Sequence, residues 1–312
     1  MAPSDAVEKA GIEKSTKILE KWGLKVKYGK HIYSFVGDFT AGTAEERKED
    51  LKEMIFNPDI KAIWCASGGY AATEVLPVFD RAAIAVFKEK SKWLIGYSDI
   101  CLLQNALTSF NIISVMGPTL WGLSDWDSYS QEYLRRILFG EAVEGIGAQA
   151  KWKPSILGVA EGKLVACDLE TLIYSFGTKF DPIMYGGGGD IILAIEELDI
   201  DKSLLQRQID IILNHKKTSR IKGMVVGRLV NIRELSYPKW GKKVTPQGLI
   251  KGRVAPINIP LAFCDDFGHA ENGWLHFGPE RFISLVNGVK VRLTVEEKLC
   301  KLEYLESLCQ KD

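Results

Sequence analysis

Histidine is scarce in this chain, with four among 312 residues: His31, His215, His269 and His276. Chemistry that needs an imidazole must draw it from that set or use a lysine instead. No apolar run approaches the ~18 residues that a membrane-crossing helix requires. No excess of one charge exists either, because 40 basic and 40 acidic residues cancel. Overall electrostatics therefore supplies no argument for a nucleic acid or an anionic membrane as partner. The six cysteines, Cys65, Cys101, Cys167, Cys264, Cys300 and Cys309, are widely spread with no CxxC pair. That pattern is unlike a zinc site or a disulfide framework and fits buried thiols in a reducing compartment. The opening MAPSDAVEKAGIEKSTKILEKWG lacks the basic start, apolar stretch and small-residue cleavage site of a secretory signal. The expectation is a soluble cytoplasmic protein with no metal and no cofactor.

What is present is a globular profile, with 46% hydrophobic and 26% charged residues in a chain long enough for two domains. The first half alternates helix and strand patterns. Ser4 could cap a helix running to about Trp22, with Val7, Ile12, Ile18 and Leu19 facing a core. A short strand is expected over Leu24–Tyr28. Thr43 and Glu46 form a capping-box signature for a helix ending near Asn57-Pro58. Apolar strands follow at Ile60–Cys65 and Trp93–Tyr97. This alternation predicts crossover units and a parallel sheet, with functional loops at the strands' C-terminal ends. Residues 1–140 read as an N-terminal α/β domain and 141–161, rich in glycine with little periodicity, as a link. Residues 162–312 read as a β-rich α/β domain with strands at Lys163–Ala166, Asp190–Ile195, Ile221–Val226, Ile257–Phe263, Arg281–Leu285 and Lys290–Leu293. The tetraglycine Gly186–Gly189 precedes an apolar strand rather than a helix. It therefore reads as a turn and not as a phosphate cradle.

Several residues could carry chemistry. Ser98 follows a buried strand and opens the next helix, where a serine hydroxyl would stand above the sheet and the following N–H would face an oxyanion. Taken alone, Ser98-Asp99 at such a junction is more often an ordinary helix cap. Ser67-Gly68-Gly69-Tyr70 also follows a strand; the glycines would allow close approach of a ligand or merely make a tight turn. His269 lies beside Gly268 just after an apolar strand, where catalytic loops lie. His31 sits in a polar loop, His215 at a basic helix end where a dipole role suffices, and His276 in a strand-like alternation. Glu196 and Glu197 close the apolar run Ile191–Ile195. A carboxylate there could orient an imidazole, or both could sit on a solvated loop.

These pieces, in this order, resemble the LD-carboxypeptidase family of serine peptidases, also called murein tetrapeptide carboxypeptidases, with the microcin C immunity proteins as relatives. The likeness runs from Ala2-Pro3-Ser4 through Ala41-Gly42-Thr43 with Glu46-Arg47, Lys61–Trp64, Gly68-Gly69-Tyr70, Gly96-Tyr97-Ser98-Asp99 and Gly117-Pro118. It continues through Glu161–Leu164, Gly177-Thr178, Ile195-Glu196, Arg207 and Pro260 to Gly268-His269.

The resemblance implies a parallel, flavodoxin-like α/β layer carrying a serine elbow and a C-terminal domain contributing a glutamate and a histidine, with the site at their interface. It implies Ser98 as nucleophile, His269 as general base and acid, and Glu196 as orienter. The N–H groups of Asp99 and of Gly68 or Gly69 would form the oxyanion hole. Ser67, Tyr70 and Arg207 are substrate-binding candidates, with Arg228 and Arg233 as further partners for a substrate carboxylate. Ser67 stands where many members carry arginine, Ala72 replaces a frequent glycine, and most of the apolar strand that usually precedes Ala-Pro-Ser is absent. The implied reaction is release of D-alanine from a cytoplasmic muropeptide by a homodimer. The alternatives are cleavage of an aminoacyl or peptidyl nucleotide, with Trp121, Trp126, Trp240 or Trp274 stacking the base, and ligand binding without turnover.

Overall fold

The computed structural model describes residues 1–234, 243–270 and 281–308. Two sheets organise the chain. In the first, the strands Ala62–Trp64, Trp93–Gly96 and Ser114–Met116 run parallel, and Leu285–Asn287 closes the order antiparallel to Ser114–Met116. Both faces of this sheet are covered, which is why its strands read as continuous apolar runs. Ile63 and Leu94 join one cluster with Leu51, Phe87 and Leu103, while Trp64, Ile95 and Val115 join the other.

The second sheet has eight strands. Its centre is parallel: Gly158–Asp168, Ile191–Leu198, Ile221–Val230 and Leu261–Cys264 lie side by side in that order. Lys290–Val295, Cys300–Tyr304 and Gly145–Ile146 extend one side antiparallel, and Trp152–Ile156 closes the other. The expected mixed α/β fold with parallel-strand sheets is therefore present. Two of the eight strands, Gly145–Ile146 and Trp152–Ile156, fall within 141–161, the stretch read as a link of little periodicity. Short edge strands with glycine and proline carry too weak an alternation to be seen in sequence.

Other expectations shift by a few residues, and two change kind. The first helix spans Lys9–Lys21 with Glu8 at its N-cap, so Ser4 does not cap it. The side chain of Ser4 goes instead to the Ser98 loop. Leu24–Tyr28 alternates like a strand but pairs with none. A cavity of about 290 Å3, lined by Leu24–Tyr28 and by 59–64, separates it from the Ala62–Trp64 strand. A segment becomes a strand only where a partner backbone lies within ladder-bonding reach. Met1 occupies one end of the space: its ammonium donates to Trp64 O at 3.1 Å, and Ala66 N donates to Met1 O at 2.8 Å. The Thr43–Glu46 capping box on the Ala44–Phe56 helix is formed in both directions. The tetraglycine is a turn, with φ of +75°, +69° and +80° at Gly187, Gly188 and Gly189 feeding the Ile191–Leu198 strand.

Two features join the sheets. The helix Cys101–Ser109 is buried at every position, including the polar residues Gln104, Asn105, Thr108 and Ser109. Within it, Gln104 Nε2 donates to Gly96 O at 2.9 Å and to Val115 O at 2.6 Å, fastening the ends of two strands of the first sheet. Asn287, in the first sheet and 1% exposed, reaches the central strand of the second. Its Oδ1 accepts from Ala166 N at 2.5 Å and its Nδ2 donates to Ala166 O at 3.0 Å. The amide side chain thus substitutes for a strand partner where the sheets meet. Replacing it leaves a buried donor and a buried acceptor unpaired, at ~1–3 kcal/mol each. Asn287→Ala is expected to lower unfolding free energy by roughly 2–4 kcal/mol in urea titrations, with Asn287→Leu no better because it fills space without satisfying either group.

Candidate active site

The strand Trp93–Gly96 ends at Tyr97, and the chain turns at once into the short helical turn Ser98–Ile100 and then the Cys101–Ser109 helix. The sharpness of that turn is stored at Ser98, whose φ is +62°. A non-glycine residue in the left-handed region costs ~1–3 kcal/mol and persists only where surrounding contacts enforce it. The strained strand-to-helix serine is the geometry that presents a hydroxyl above a sheet. Ser98 is 8% exposed and lines a cavity of about 660 Å3.

The loop facing Ser98 is fixed by carboxylates. Asp99 Oδ2 accepts from Ser4 Oγ at 2.5 Å and from Ala72 N at 2.8 Å, and Ser4 Oγ in turn accepts from Ala71 N at 3.0 Å. Asp5 N donates to Gly68 O at 3.1 Å, and Asp5 Oδ1 accepts from Tyr70 N at 3.0 Å. Burial, only partly offset by these donors, pushes the Asp99 carboxyl up to about 6. Glycine is required at both loop positions. A Cβ on Gly69, at φ +128°, would sit 1.9 Å from Asp5 Cγ. One on Gly68 would sit 2.9 Å from Ser98 Cβ and 3.1 Å from Ser98 Oγ, so the Gly68 main chain runs directly against the serine.

Glu196 lies near the end of the Ile191–Leu198 strand, and His269 reaches it from the loop after Leu261–Cys264, one strand further along the second sheet. His269 Nδ1 lies 2.8 Å from Glu196 Oε2, and His269 N donates to the same oxygen at 3.1 Å. Glu196 is fully buried and His269 is 2% exposed. Gly268 permits this closure: at φ +96°, a Cβ there would meet Glu196 Cβ at 2.8 Å. Burial by itself would lower the imidazole pKa. The Glu196 charge and hydrogen bond, with Asp168 behind them, outweigh it and raise His269 above 6.5. Arg228 holds the loop from beneath. Its Nε donates to His269 O at 2.6 Å, and its Nη2 donates to Gly268 O at 2.9 Å and Arg281 O at 3.1 Å. The Tyr97 ring, one residue before Ser98, packs on the His269 ring at 4.8 Å between centroids.

The remaining candidates sort clearly. Tyr70 lines the Ser98 cavity and is 66% exposed. Ser67 is half-buried and does not line it, while Arg207 lines a neighbouring depression with Lys202, Gln206 and Asp210. Arg228, read as a partner for a substrate carboxylate, is instead committed to backbone carbonyls. Arg233 bonds through its main chain to Ile200 and Lys202. His31 Nδ1 lies 3.0 Å from Asp50 Oδ1, and His215 Nε2 lies 2.9 Å from Asp181 Oδ2, so the histidine at the basic helix end has a buried carboxylate partner. Trp126 is buried against Phe282, and Trp121 packs against Gly11. Trp240, Trp274, His276 and Cys309 lie outside the described residues. The five described cysteines are free and buried, as expected.

Sequence reasoning missed Asp168 and Glu197. Asp168 ends the Gly158–Asp168 strand beside Glu196, its register partner. Its N–H donates to Cys101 Sγ at 3.4 Å, and its Oδ1 caps the Leu169–Ser175 helix through Thr171 N at 2.9 Å. Glu197 is 1% exposed rather than solvated. Burial first, then the neighbouring carboxylates, raise both groups well above the usual carboxyl range. A carboxylate closing an apolar strand was the available signal, and it was used for Glu196 alone. Asp168, Glu196 and His269 each present a donor atom within 4.8 Å of the others, an arrangement able to hold a cation. No described helix is long and apolar enough to cross a membrane.

Comparison with known proteins gives a consistent answer. Residues 1–117 match the LD-carboxypeptidase N-terminal domain and residues 161–278 the LD-carboxypeptidase C-terminal domain. A Synechocystis sp. relative bearing a carboxypeptidase name is 28% identical over 86% of this chain and 84% of its own. A murein tetrapeptide carboxypeptidase of Pseudomonas aeruginosa is 33% identical over 39% of each chain. Among solved structures, a muramoyltetrapeptide carboxypeptidase from Oxalobacter formigenes superposes with a TM-score of 0.76 at 18% identity, covering 98% of this chain and 99% of that one. MccF in complex with glutamyl sulfamoyl guanosine superposes with a TM-score of 0.77 at 19% identity, covering 98% and 95%. At these identities the structural likeness shows the fold.

Two outcomes are expected from the electrostatics. Glu196→Gln removes the charge that raises His269 and leaves burial, which lowers it, so the imidazole should titrate below its native value in ring NMR. Glu197 binds a proton on folding once pH exceeds the ordinary carboxyl range, so its contribution destabilises increasingly as pH rises from about 4. Glu197→Gln should therefore stabilise the protein, by at least about 1 kcal/mol at pH 8 and by less at pH 5, in chemical denaturation at the two pH values.

Proposed function

The chain belongs to the LD-carboxypeptidase family of peptidases, and from that premise we propose that it is a serine carboxypeptidase hydrolysing an L,D-amide bond. The nucleophile Ser98 comes from residues 1–140, and Glu196 and His269 come from 162–312. Its substrate is a cytoplasmic muropeptide ending in D-alanine, and it works as a homodimer. The observation that carries this reading is the buried His269 Nδ1–Glu196 Oε2 pair at 2.8 Å, with the ring of Tyr97, the residue before the strained serine, packed at a tilt on the same imidazole.

In this mechanism Glu196 holds Nδ1–H and so leaves Nε2 as the basic nitrogen. His269 takes the Ser98 hydroxyl proton as Oγ attacks the scissile carbonyl. The raised imidazole pKa favours the imidazolium that forms, and Glu196 stabilises it without itself becoming protonated. The carbonyl oxygen turns negative beside the Gly68–Gly69 main chain and the Asp99 N–H, which serve as its hydrogen-bond donors. The imidazolium then gives its proton to the departing D-alanine amine, leaving an acyl-serine. Water, deprotonated by His269, hydrolyses that ester and restores the enzyme.

A second reading is favoured by Tyr70 and Tyr174, 66% and 57% exposed among the residues lining the same cavity, since aromatic side chains are the usual platforms for a base. It is cleavage of an aminoacyl or peptidyl nucleotide, with the same catalytic groups. Trp121 and Trp126 do not line this cavity. The deciding assay is D-alanine release from an L,D-linked muropeptide tetrapeptide by the native protein and by Ser98→Ala. Release by the native chain and a loss of roughly 10^3-fold or more in the variant are expected. A folded native protein that releases no D-alanine but cleaves a glutamyl sulfamoyl nucleoside would replace the first reading with the second.

A further inference from the structure

The cavity beside Ser98 is walled by acid. Among its fifteen described lining residues, five are Asp99, Asp168, Glu170, Glu197 and Asp199, and none is lysine, arginine or histidine. Most of these carboxylates have visible employment. Asp99 holds Ser4 and Ala72, Asp168 caps a helix through Thr171, Glu170 accepts from the Tyr174 hydroxyl at 2.6 Å, and Asp199 accepts from Asn231 Nδ2 at 3.0 Å. Glu197 is different. Its Oε1 accepts from Leu198 N at 2.9 Å, but Oε2 has no hydrogen-bond partner, although the residue is 1% exposed. An orphaned buried carboxylate oxygen is expensive, and the fold could have avoided it with an apolar residue at the same place. A ligand that donates a charge-assisted hydrogen bond would satisfy it.

We propose that this acidic wall is a substrate subsite for a protonated amine, with Glu197 as its specificity-determining residue. The favoured substrate is a peptide that brings a free ammonium group into the cavity while its scissile amide lies at Ser98. This rests on the proposed peptidase reading and narrows its substrate class. Asp168 and Glu197 both line this cavity, so an ammonium entering it meets acidic side chains that can accept charge-assisted hydrogen bonds. Neutral or acidic groups gain nothing from the same wall. Discrimination by charge alone is strong in a cavity where the partner would otherwise stay unsatisfied.

The test uses the full-length Ser98→Ala variant, so that binding is read without turnover. The probes are L-Ala-γ-D-Glu-L-Lys-D-Ala and its Nα-acetyl, Nε-acetyl and doubly acetylated forms, measured by calorimetry. The doubly acetylated peptide is expected to bind at least about tenfold more weakly than the parent, and the singly acetylated peptides identify which amine is read. Glu197→Gln in the same background should shrink the tenfold difference to within about threefold, and Glu197→Asp should restore part of it. Thermal unfolding of each variant verifies that it is folded. Equal binding of parent and doubly acetylated peptide overturns the proposal. So does a difference that survives Glu197→Gln, and so does a failure of every peptide to bind. The peptidase reading falls separately, if the native protein binds the parent peptide but releases no D-alanine from it.

Discussion

Glu196 is buried completely, and a carboxylate taken out of water is tolerable only when a cation or several donors meet it. His269 meets it twice, through the ring and through its own main-chain N–H. That arrangement requires the 265–269 loop to be pressed onto the end of the Ile191–Leu198 strand, and Arg228 supplies the pressure. Its guanidinium collects the carbonyls of Asp265, Gly268, His269 and Arg281, four loop groups that would otherwise lie buried and unpaired. The Gly268 φ of +96° follows from the same closure, since any side chain there would strike Glu196. Loss of the Arg228 contacts would leave the Gly268 and His269 carbonyls without these donors and loosen the hold on the imidazole's position.

The Ser98 loop is organised by a similar device of opposite composition. Asp5 and Asp99 collect main-chain N–H groups and the Ser4 hydroxyl from the first turn of chain and from 70–72. These contacts hold Gly68 against Ser98 and stabilise the serine's left-handed backbone. A cationic anchor thus holds the histidine loop, and anionic anchors hold the loop against the serine. Asp168 and Glu197 add acidic side chains to the cavity that Ser98 lines.

Much of this was legible in residue order. The capping box at Thr43, the buried strands at Ala62–Trp64 and Trp93–Gly96, and the tetraglycine turn follow from local patterns that tertiary contacts did not override. Ser98, Glu196 and His269 were candidates because each sits at the end of an apolar strand or just after one, and the family resemblance chose among the alternatives that local pattern left open. The errors have physical causes. Ser4 has the chemistry of an N-cap, but Asp99 and Ala71, 95 and 67 residues away in sequence, compete for its hydroxyl and win. Leu24–Tyr28 has a strand's alternation, yet a strand exists only when a partner lies within hydrogen-bonding reach, and here a cavity intervenes. Arg228 looked like a ligand-binding cation because a sequence cannot show four carbonyls converging from residues 265 to 281.

By itself the sequence determined which segments would be buried strands, which glycines would turn the chain, and which residue types could supply a nucleophile, a base and a carboxylate. These are properties of neighbours along the chain and of the chemistry each side chain carries. Only the tertiary structure decided that the end of the chain returns Leu285–Asn287 to the first sheet, with Asn287 bonding the second through Ala166. Tertiary structure alone also put Glu197 in a buried acidic wall instead of on a solvated loop, and paired each of the three described histidines with a different carboxylate. Burial and pairing are sums over contacts distant in sequence. The charge state of a carboxylate depends on those sums and not on its neighbours in the chain.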